Sequence, residues 1–150
     1  MSTGTITLHP VDRTNWRAVE RVQVAPEQRE FSSDTAHYLL LCAFGGDWRP
    51  LAVLLGDRVI GFLMWAVDEA DGSCWLGGIC IDRSEQGRGY GRQAILEAVA
   101  LLSREHGFRH FALSYNPANA VAVHLYRSLG FVETGELEDD LTVARLILAD

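Results

Sequence analysis

The sequence predicts one mixed α/β domain, a sheet of antiparallel and parallel strands with helices on its faces. Three observations point there. The chain has 150 residues, which fits one ordinary domain. Apolar residues make up 48% of it and charged residues 22%, enough apolar mass for a real core. Its periodicity switches between alternation and helical spacing in the order β-α-α-β-β-β-α-β-α-β-β. A strand–helix–strand unit over residues 74–115 requires a right-handed crossover and therefore a parallel pair.

Ile6 and Leu8 alternate with polar neighbours, so residues 5–8 form a first short strand. Thr14 or Asn15 caps a helix through Trp16, Val19 and Val22, and Pro26 interrupts it. Residues 34–44 place Leu39, Leu40 and Ala43 on a second helix, ended by Gly45 and Gly46. Residues 51–55 and 59–67 are β-rich runs around the two-residue turn Gly56-Asp57, a hairpin. Asp71-Gly72 turns the chain into a strand over residues 74–81. Trp65 and Trp75 flank that turn at roughly paired positions, which predicts a cross-strand contact. Polar, glycine-rich residues 82–91 lead into a helix marked by Ile95, Ala98, Val99 and Leu102. It runs for about 15 residues, or ~22 Å, and stops at Gly107. Residues 111–115 form a strand ended by Pro117, and residues 119–129 a helix ended by Gly130. Residues 131–137 and 141–148 form a final hairpin. No linker or repeat breaks the series, so a single domain spans 1–150.

Charge and cysteine usage remove several function classes. All 13 basic residues are Arg; against 20 acidic residues the net charge is −7 with neutral His. An acidic chain lacks the basic footprint of a nucleic-acid partner, and without Lys there is no Gly-Lys-Ser/Thr phosphate loop. Cys42, Cys74 and Cys80 are odd in number and widely spaced, which reads as small buried apolar residues rather than a disulfide framework or zinc site. Gly107 separates His106 from His110, so they make no helical ligand pair, and no metal is expected. The first ten residues show no secretory leader, and no apolar run approaches the ~20 residues of a membrane span. The expectation is a soluble, cytoplasmic protein without a membrane partner.

Chemistry concentrates in Gln86-Gly87-Arg88-Gly89-Tyr90-Gly91-Arg92, between a strand and the long helix. The first turn of a helix leaves about four N–H groups without intrahelical acceptors, and these with the helix dipole favour an anion. Three glycines in five residues let the main chain approach a bulky phosphate. Arg83, Arg88 and Arg92 against Glu85 make the local balance +2 inside a −7 chain. These features point to a diphosphate site; a flexible turn with solvated arginines is the plain alternative. A dinucleotide fingerprint fits worse, because G-x-G-x-x-G counted from Gly87 ends on Arg92.

A second constellation, Asn119-Ala120-Val121-Ala122-Val123-His124-Leu125-Tyr126-Arg127-Ser128-Leu129-Gly130-Phe131, follows after a helix and a strand. Q-x-x-G-x-G followed by N-x-x-A-x-x-x-Y-x-x-x-G-F resembles the GNAT superfamily of N-acetyltransferases, over essentially the whole chain. Residues 24–31, 113–119 and 130–135 are similar to its spermine/spermidine acetyltransferase-like branch. Where that branch carries a bulky aromatic and a basic residue, this chain has Leu76-Gly77-Gly78, which implies a wider or more flexible pocket wall.

The resemblance implies a GNAT-like fold with a central splayed parallel strand pair, acetyl-coenzyme A as acyl donor, and a homodimer as assembly. It implies that Gly87, Arg88, Gly89, Tyr90, Gly91 and Arg92 hold the diphosphate with Gln86 beside it, and that Ile79, Cys80 and Ile81 offer backbone groups to the pantetheine. The implied reaction is direct attack of an amine on the thioester in a ternary complex. It needs a neutral amine, although an alkyl amine titrates near ~10. It needs donors for the carbonyl oxygen, which a backbone N–H of residues 79–81 can supply. The leaving thiolate needs a proton, and Tyr126 is the candidate general acid, with a core tyrosine as the alternative. Asn119 bonds the pantetheine or phosphate arm, or caps its helix after Pro117; the two roles can coexist.

No general base stands out. Asp68, Glu69 and Asp71 lie at a strand end and turn; Glu27, Glu30 and Asp34 lie in the segment that covers the acceptor in this family. Glu30, Asp68 and Glu69 are the candidate substrate-binding residues. Residues 133–140 hold five acids and no base and are expected to be a solvated face. Acidic surfaces steer cations, which favours a small cationic amine, a polyamine first. The alternatives are a protein N-terminus or lysine, an aminoglycoside, or a catalytically silent acetyl-coenzyme A sensor.

Overall fold

Alternation and helical spacing translate into strands β1 (Ile6–Pro10), β2 (Arg49–Leu55), β3 (Arg58–Val67), β4 (Cys74–Ile81), β5 (His110–Tyr115), β6 (Val132–Glu138) and β7 (Leu141–Ile147). Helices α1 (Trp16–Glu20), α2 (Thr35–Phe44), α3 (Tyr90–His106) and α4 (Ala120–Ser128) connect them. The structure is a computed structural model that describes residues 4–31 and 33–149. Its strands form one sheet in the order β1-β2-β3-β4-β5-β7-β6. Pairing is antiparallel everywhere except between β4 and β5. Met1 to Thr3, part of the stretch in which a leader was sought, lie outside the described residues.

The sheet is apolar on both faces. Leu51, Val53, Leu63, Trp65 and Leu76 share one face with Ala94, Ile95, Ala98 and Leu102 of α3. Those α3 residues recur every three or four positions, and burying Ile95 and Leu102 contributes roughly 1.5–3 kcal/mol each. Ala52, Phe62, Met64 and Cys80 point the other way and pack with Val19 of α1 and Tyr38 and Leu39 of α2. Among the described residues no helix is long and apolar enough to cross a membrane.

The feature that positions a site is where the sheet opens. β4 and β5 pair only at Cys74 with Phe111 and Trp75 with Ala112; past that point they diverge. Main-chain groups of residues 76–81 on that side therefore lack a strand partner and need another. On its other edge β4 bulges: Phe62 pairs with Cys80 and Met64 with Gly77, so Gly78 and Ile79 both stand against Leu63. Gly78 takes φ +58°, which a β-carbon would resist.

Several local expectations change. α1 ends at Glu20 and does not reach Val22. Asn15 precedes α1 but its side chain does not cap it; Oδ1 accepts from Asp12 N–H at 2.9 Å and Nδ2 donates to the Pro10 carbonyl at 3.0 Å. The preceding turn thus competes successfully for that amide. α3 has 17 residues, against the 15 or so expected, because the helix begins at Tyr90 inside the glycine-rich run. Trp65 and Trp75 do not touch across the hairpin. Trp65 pairs with Leu76 and Trp75 with Ala66, and this one-residue offset sends the two indoles to opposite faces.

Candidate functional site

The open edge of β4, the N-terminus of α3 and the start of α4 enclose a cavity of about 610 Å³. At one end stands the glycine loop. Gly87 and Gly89 adopt φ +78° and +82°, and a β-carbon on either would meet nothing within 4 Å. The first intrahelical bond runs from Gln93 N–H to the Gly89 carbonyl. The N–H groups of Tyr90, Gly91 and Arg92 thus lack acceptors within the helix, at the positive end of a 17-residue dipole. An open concave backbone of this kind fits a diphosphate, and the unpaired edge of β4 fits an amide-bearing arm.

The charged residues around the loop are organised by Glu85. Its carboxylate is buried and lies 2.6 Å from Arg58 Nη1 and 3.5 Å from Arg88 Nη1. Arg92 Nη1 donates to Ser128 Oγ at 2.6 Å and ties α3 to α4. The Gln86 amide is turned inward, donating to the Ile81 carbonyl at 2.9 Å and to Gln28 Oε1 at 2.8 Å.

Ile79, Cys80 and Ile81 line the cavity along β4. Asn119 and Tyr126 line it from α4. Asn119 is the N-cap of α4, its Oδ1 accepting from Ala122 N–H at 3.2 Å. Both roles considered for Asn119 remain open to it, because its residue also faces the cavity. Tyr126 packs against Tyr115 and Phe131, with ring centroids 5.3 and 6.1 Å away. Its hydroxyl has no hydrogen-bond partner among the described residues. Burial, and then the neighbouring Tyr115 and Tyr38, push its phenol well above the usual tyrosine range, so it stays protonated. The Tyr115 hydroxyl is engaged instead, donating to Glu133 at 2.8 Å. Buried Trp75 Nε1 has no hydrogen-bond partner among the described residues, and Trp75 lines the cavity beneath the Arg145 guanidinium, 5.5 Å from its ring.

At the other end of the cavity the acidic candidates separate. Glu30 lines it. Asp68 and Glu69 do not: they sit in the β3–β4 turn, where Asp68 Oδ1 accepts from Ala70 N–H at 2.9 Å. That bond holds the Asp68 carboxylate in its own turn. The 133–140 run is exposed throughout, as expected, but several of its carboxylates are engaged. Glu133 holds Tyr115 and Arg127, Glu136 holds Arg145, and Glu138 lines the cavity. Partial burial first, then Asp139 and Asp68, raise the Glu138 carboxyl above the ordinary glutamate range. Sequence reasoning placed Glu138 in an acidic run read as a solvated face; only β6–β7 pairing brings it to the cavity. At Leu76-Gly77-Gly78, where a wider or more flexible wall is expected, other side chains take up the space beside the glycines. Rings of Trp48 and Tyr38, from the far side of the fold, close over the two glycines. Among the described residues no group of three or more His, Cys, Asp or Glu could hold a metal ion.

Comparison with known proteins agrees with this geometry. The model of the acetyltransferase (GNAT) family matches residues 16–131. A spermine/spermidine N(1)-acetyltransferase of Bacillus subtilis (strain 168) is 27% identical over 97 residues, covering 61% of this chain and 64% of that protein. The match thus spans just under two thirds of that relative's length. Among solved structures, an acetyltransferase from Thermus thermophilus superposes with TM-score 0.79 at 22% identity, covering 99% of this chain and 100% of that one. A spermidine N-acetyltransferase from Vibrio cholerae, in complex with CoA and spermine, does so with TM-score 0.72 at 21% identity, covering 95% and 94%. These superpositions speak for the fold. With the family model matched from α1 to the residue after α4's glycine stop, and with both motifs lining one cavity, the chain belongs to the acetyltransferase (GNAT) family.

Proposed function

We propose that the chain is an acetyl-coenzyme A-dependent N-acetyltransferase for a primary amine of a small cationic acceptor, a polyamine first, acting by direct attack in a ternary complex. One observation carries the reading. A continuous cavity joins the glycine loop, through the gap between β4 and β5, to an end whose charged lining is wholly acidic. Its charged lining residues are Glu30, Glu85 and Glu138, with no Arg or His. Arg58 neutralises Glu85, which leaves Glu30 and Glu138 at the rim for a cation. Phe31, Tyr38 and Trp48 add aromatic faces, against which an ammonium group gains about 0.5–2 kcal/mol.

Acetyl-coenzyme A supplies the activated acyl thioester when bound. The N–H groups of residues 90–92 bind its diphosphate, and the unpaired β4 edge at Ile79 to Ile81 orients its arm. Tyr126 keeps its proton on Oη and can deliver it to the sulfur as the thiolate leaves. Ionised Glu138 can take the ammonium proton, directly or through water. Thiol release with a panel of linear polyamines, aminoglycosides and peptides tests the reading. Turnover of at least one linear polyamine is expected; a chain that binds acetyl-coenzyme A yet acetylates nothing would instead be a sensor.

A further inference from the structure

We infer that Trp48 is a specificity-determining residue, its indole forming the end wall of the acceptor half of the cavity and limiting the length and bulk of the amine. The inference rests on the acetyltransferase reading above. Trp48 lies in the connector between α2 and β2, next to Arg49, whose pairing with Trp65 anchors the main chain. It reaches β4 only because Gly77 has no side chain. A β-carbon there would stand 3.2 Å from both Cη2 and Cζ3 of the indole and 3.4 Å from Met64 Cε. Carbon atoms prefer about 3.5–4.0 Å, so a β-carbon at 77 would push the indole back by a few tenths of an ångström.

Its neighbour repeats the arrangement with a different ring. A β-carbon on Gly78 would lie 3.1 Å from Phe62 Cε2 and 3.3 Å from Tyr38 Cγ. Tyr38 is held from two sides, stacked on Phe62 at 6.1 Å and 11°, with its hydroxyl accepting from Ser33 N–H at 3.1 Å. Trp48 is half-buried and rests by its benzo edge on Gly77 and Met64, so the indole is the part of this wall that a substitution can remove without unseating the strand. Both rings line the cavity that also contains Gly89, Tyr126 and Glu138. An acceptor that enters past Glu30 and Glu138 therefore has the indole in front of it.

The test is kcat/KM for a graded acceptor series, from a short diamine through spermidine to an aminoglycoside, in the wild type, Trp48→Ala, Trp48→Phe and Gly77→Ala. Trp48→Ala is expected to raise the bulky-to-short selectivity ratio about tenfold while the KM for acetyl-coenzyme A stays within about twofold. Gly77→Ala is expected to change the ratio in the wild type and to lose that effect in the Trp48→Ala background, where the clash is gone. A Trp48→Ala enzyme with the wild-type ratio overturns the inference. Should that variant fail to fold, Trp48→Phe is expected to move the ratio the same way, and an unchanged ratio overturns the inference equally. A wild-type chain that binds acetyl-coenzyme A but acetylates none of the series overturns the acetyltransferase reading instead. Calorimetry then decides Trp48 alone: the same ranking of amine affinities in wild type and Trp48→Ala rejects it.

Discussion

Gln86 donates its side-chain amide to Gln28 Oε1 at 2.8 Å and to the Ile81 carbonyl at 2.9 Å, so one side chain joins the glycine loop, the end of β4 and the segment before α2. Two further bonds run beside it: Arg83 N–H to the Gln23 carbonyl at 2.7 Å, and Gln23 N–H to Asp82 Oδ1 at 2.9 Å. Glu30 and Phe31, two and three residues beyond Gln28, line the cavity. The glycine loop and the Glu30–Phe31 part of the cavity lining are therefore mechanically connected. Gln28→Ala is expected to raise KM for both acetyl-coenzyme A and the amine, and to lower Tm by about 2–4 °C for a loss near 1 kcal/mol. In a double-mutant cycle with Gln86→Ala the two effects are expected to fall short of additive by ~0.5 kcal/mol or more; simple additivity would show that the contact couples nothing.

Tyr126 makes no hydrogen bond to a described residue, so its hydroxyl contributes little to the fold. Tyr126→Phe is expected to lower kcat about 100-fold, with KM for acetyl-coenzyme A and Tm near wild type. Because burial raises the phenol, the basic limb of the kcat profile is expected to extend beyond the ordinary tyrosine range. Steady-state rates at full kcat would remove Tyr126 from the chemistry.

Gly89 holds φ +82°, with open space where a β-carbon would point. Gly89→Val places a branched side chain in that space and forces a β-branched residue into the left-handed region, at a cost of roughly 1–3 kcal/mol. Calorimetry is expected to show no binding of acetyl-coenzyme A, with circular dichroism still native. Heat of binding like that of the wild type would assign the loop another role.

Glu138 carries a raised carboxyl, so the folded chain holds that proton more tightly than the unfolded chain. The group stabilises the fold below the ordinary glutamate range, and that contribution is lost as pH rises through the raised value. Above the raised value the carboxylate contributes nothing to stability. Glu138→Gln is therefore expected to match or exceed the wild-type Tm at pH 7 while weakening amine binding. Wild-type amine affinity should fall, on acidification, at a pH above the ordinary glutamate range. Melting curves and amine titrations across pH 4–8 check both halves; a lower Tm at pH 7 with unchanged amine binding would contradict them.

Much of this protein was legible in the chain itself. The strands around Gly56-Asp57, the helix through Ile95 and Leu102, and β4 over Cys74–Ile81 follow from local turns and local periodicity, which need no distant partner. So does the glycine loop, because an anion site made of main-chain N–H groups depends on backbone freedom at consecutive positions. The acceptor end behaves otherwise. Glu138 comes from a hairpin late in the chain, Glu30 from a segment before α2, and Trp48 from a connector between helix and strand. Asp68 sits nearer β4 in sequence than any of these, yet its carboxylate is spent within its own turn. Sequence alone determined the order of strands and helices and the glycine-rich start of α3, since both arise from local turns and local periodicity. Only the tertiary structure decided which carboxylates and rings line the cavity, because a one-residue shift in register turns a strand's side chains to the opposite face, and no local pattern records which face the cavity occupies.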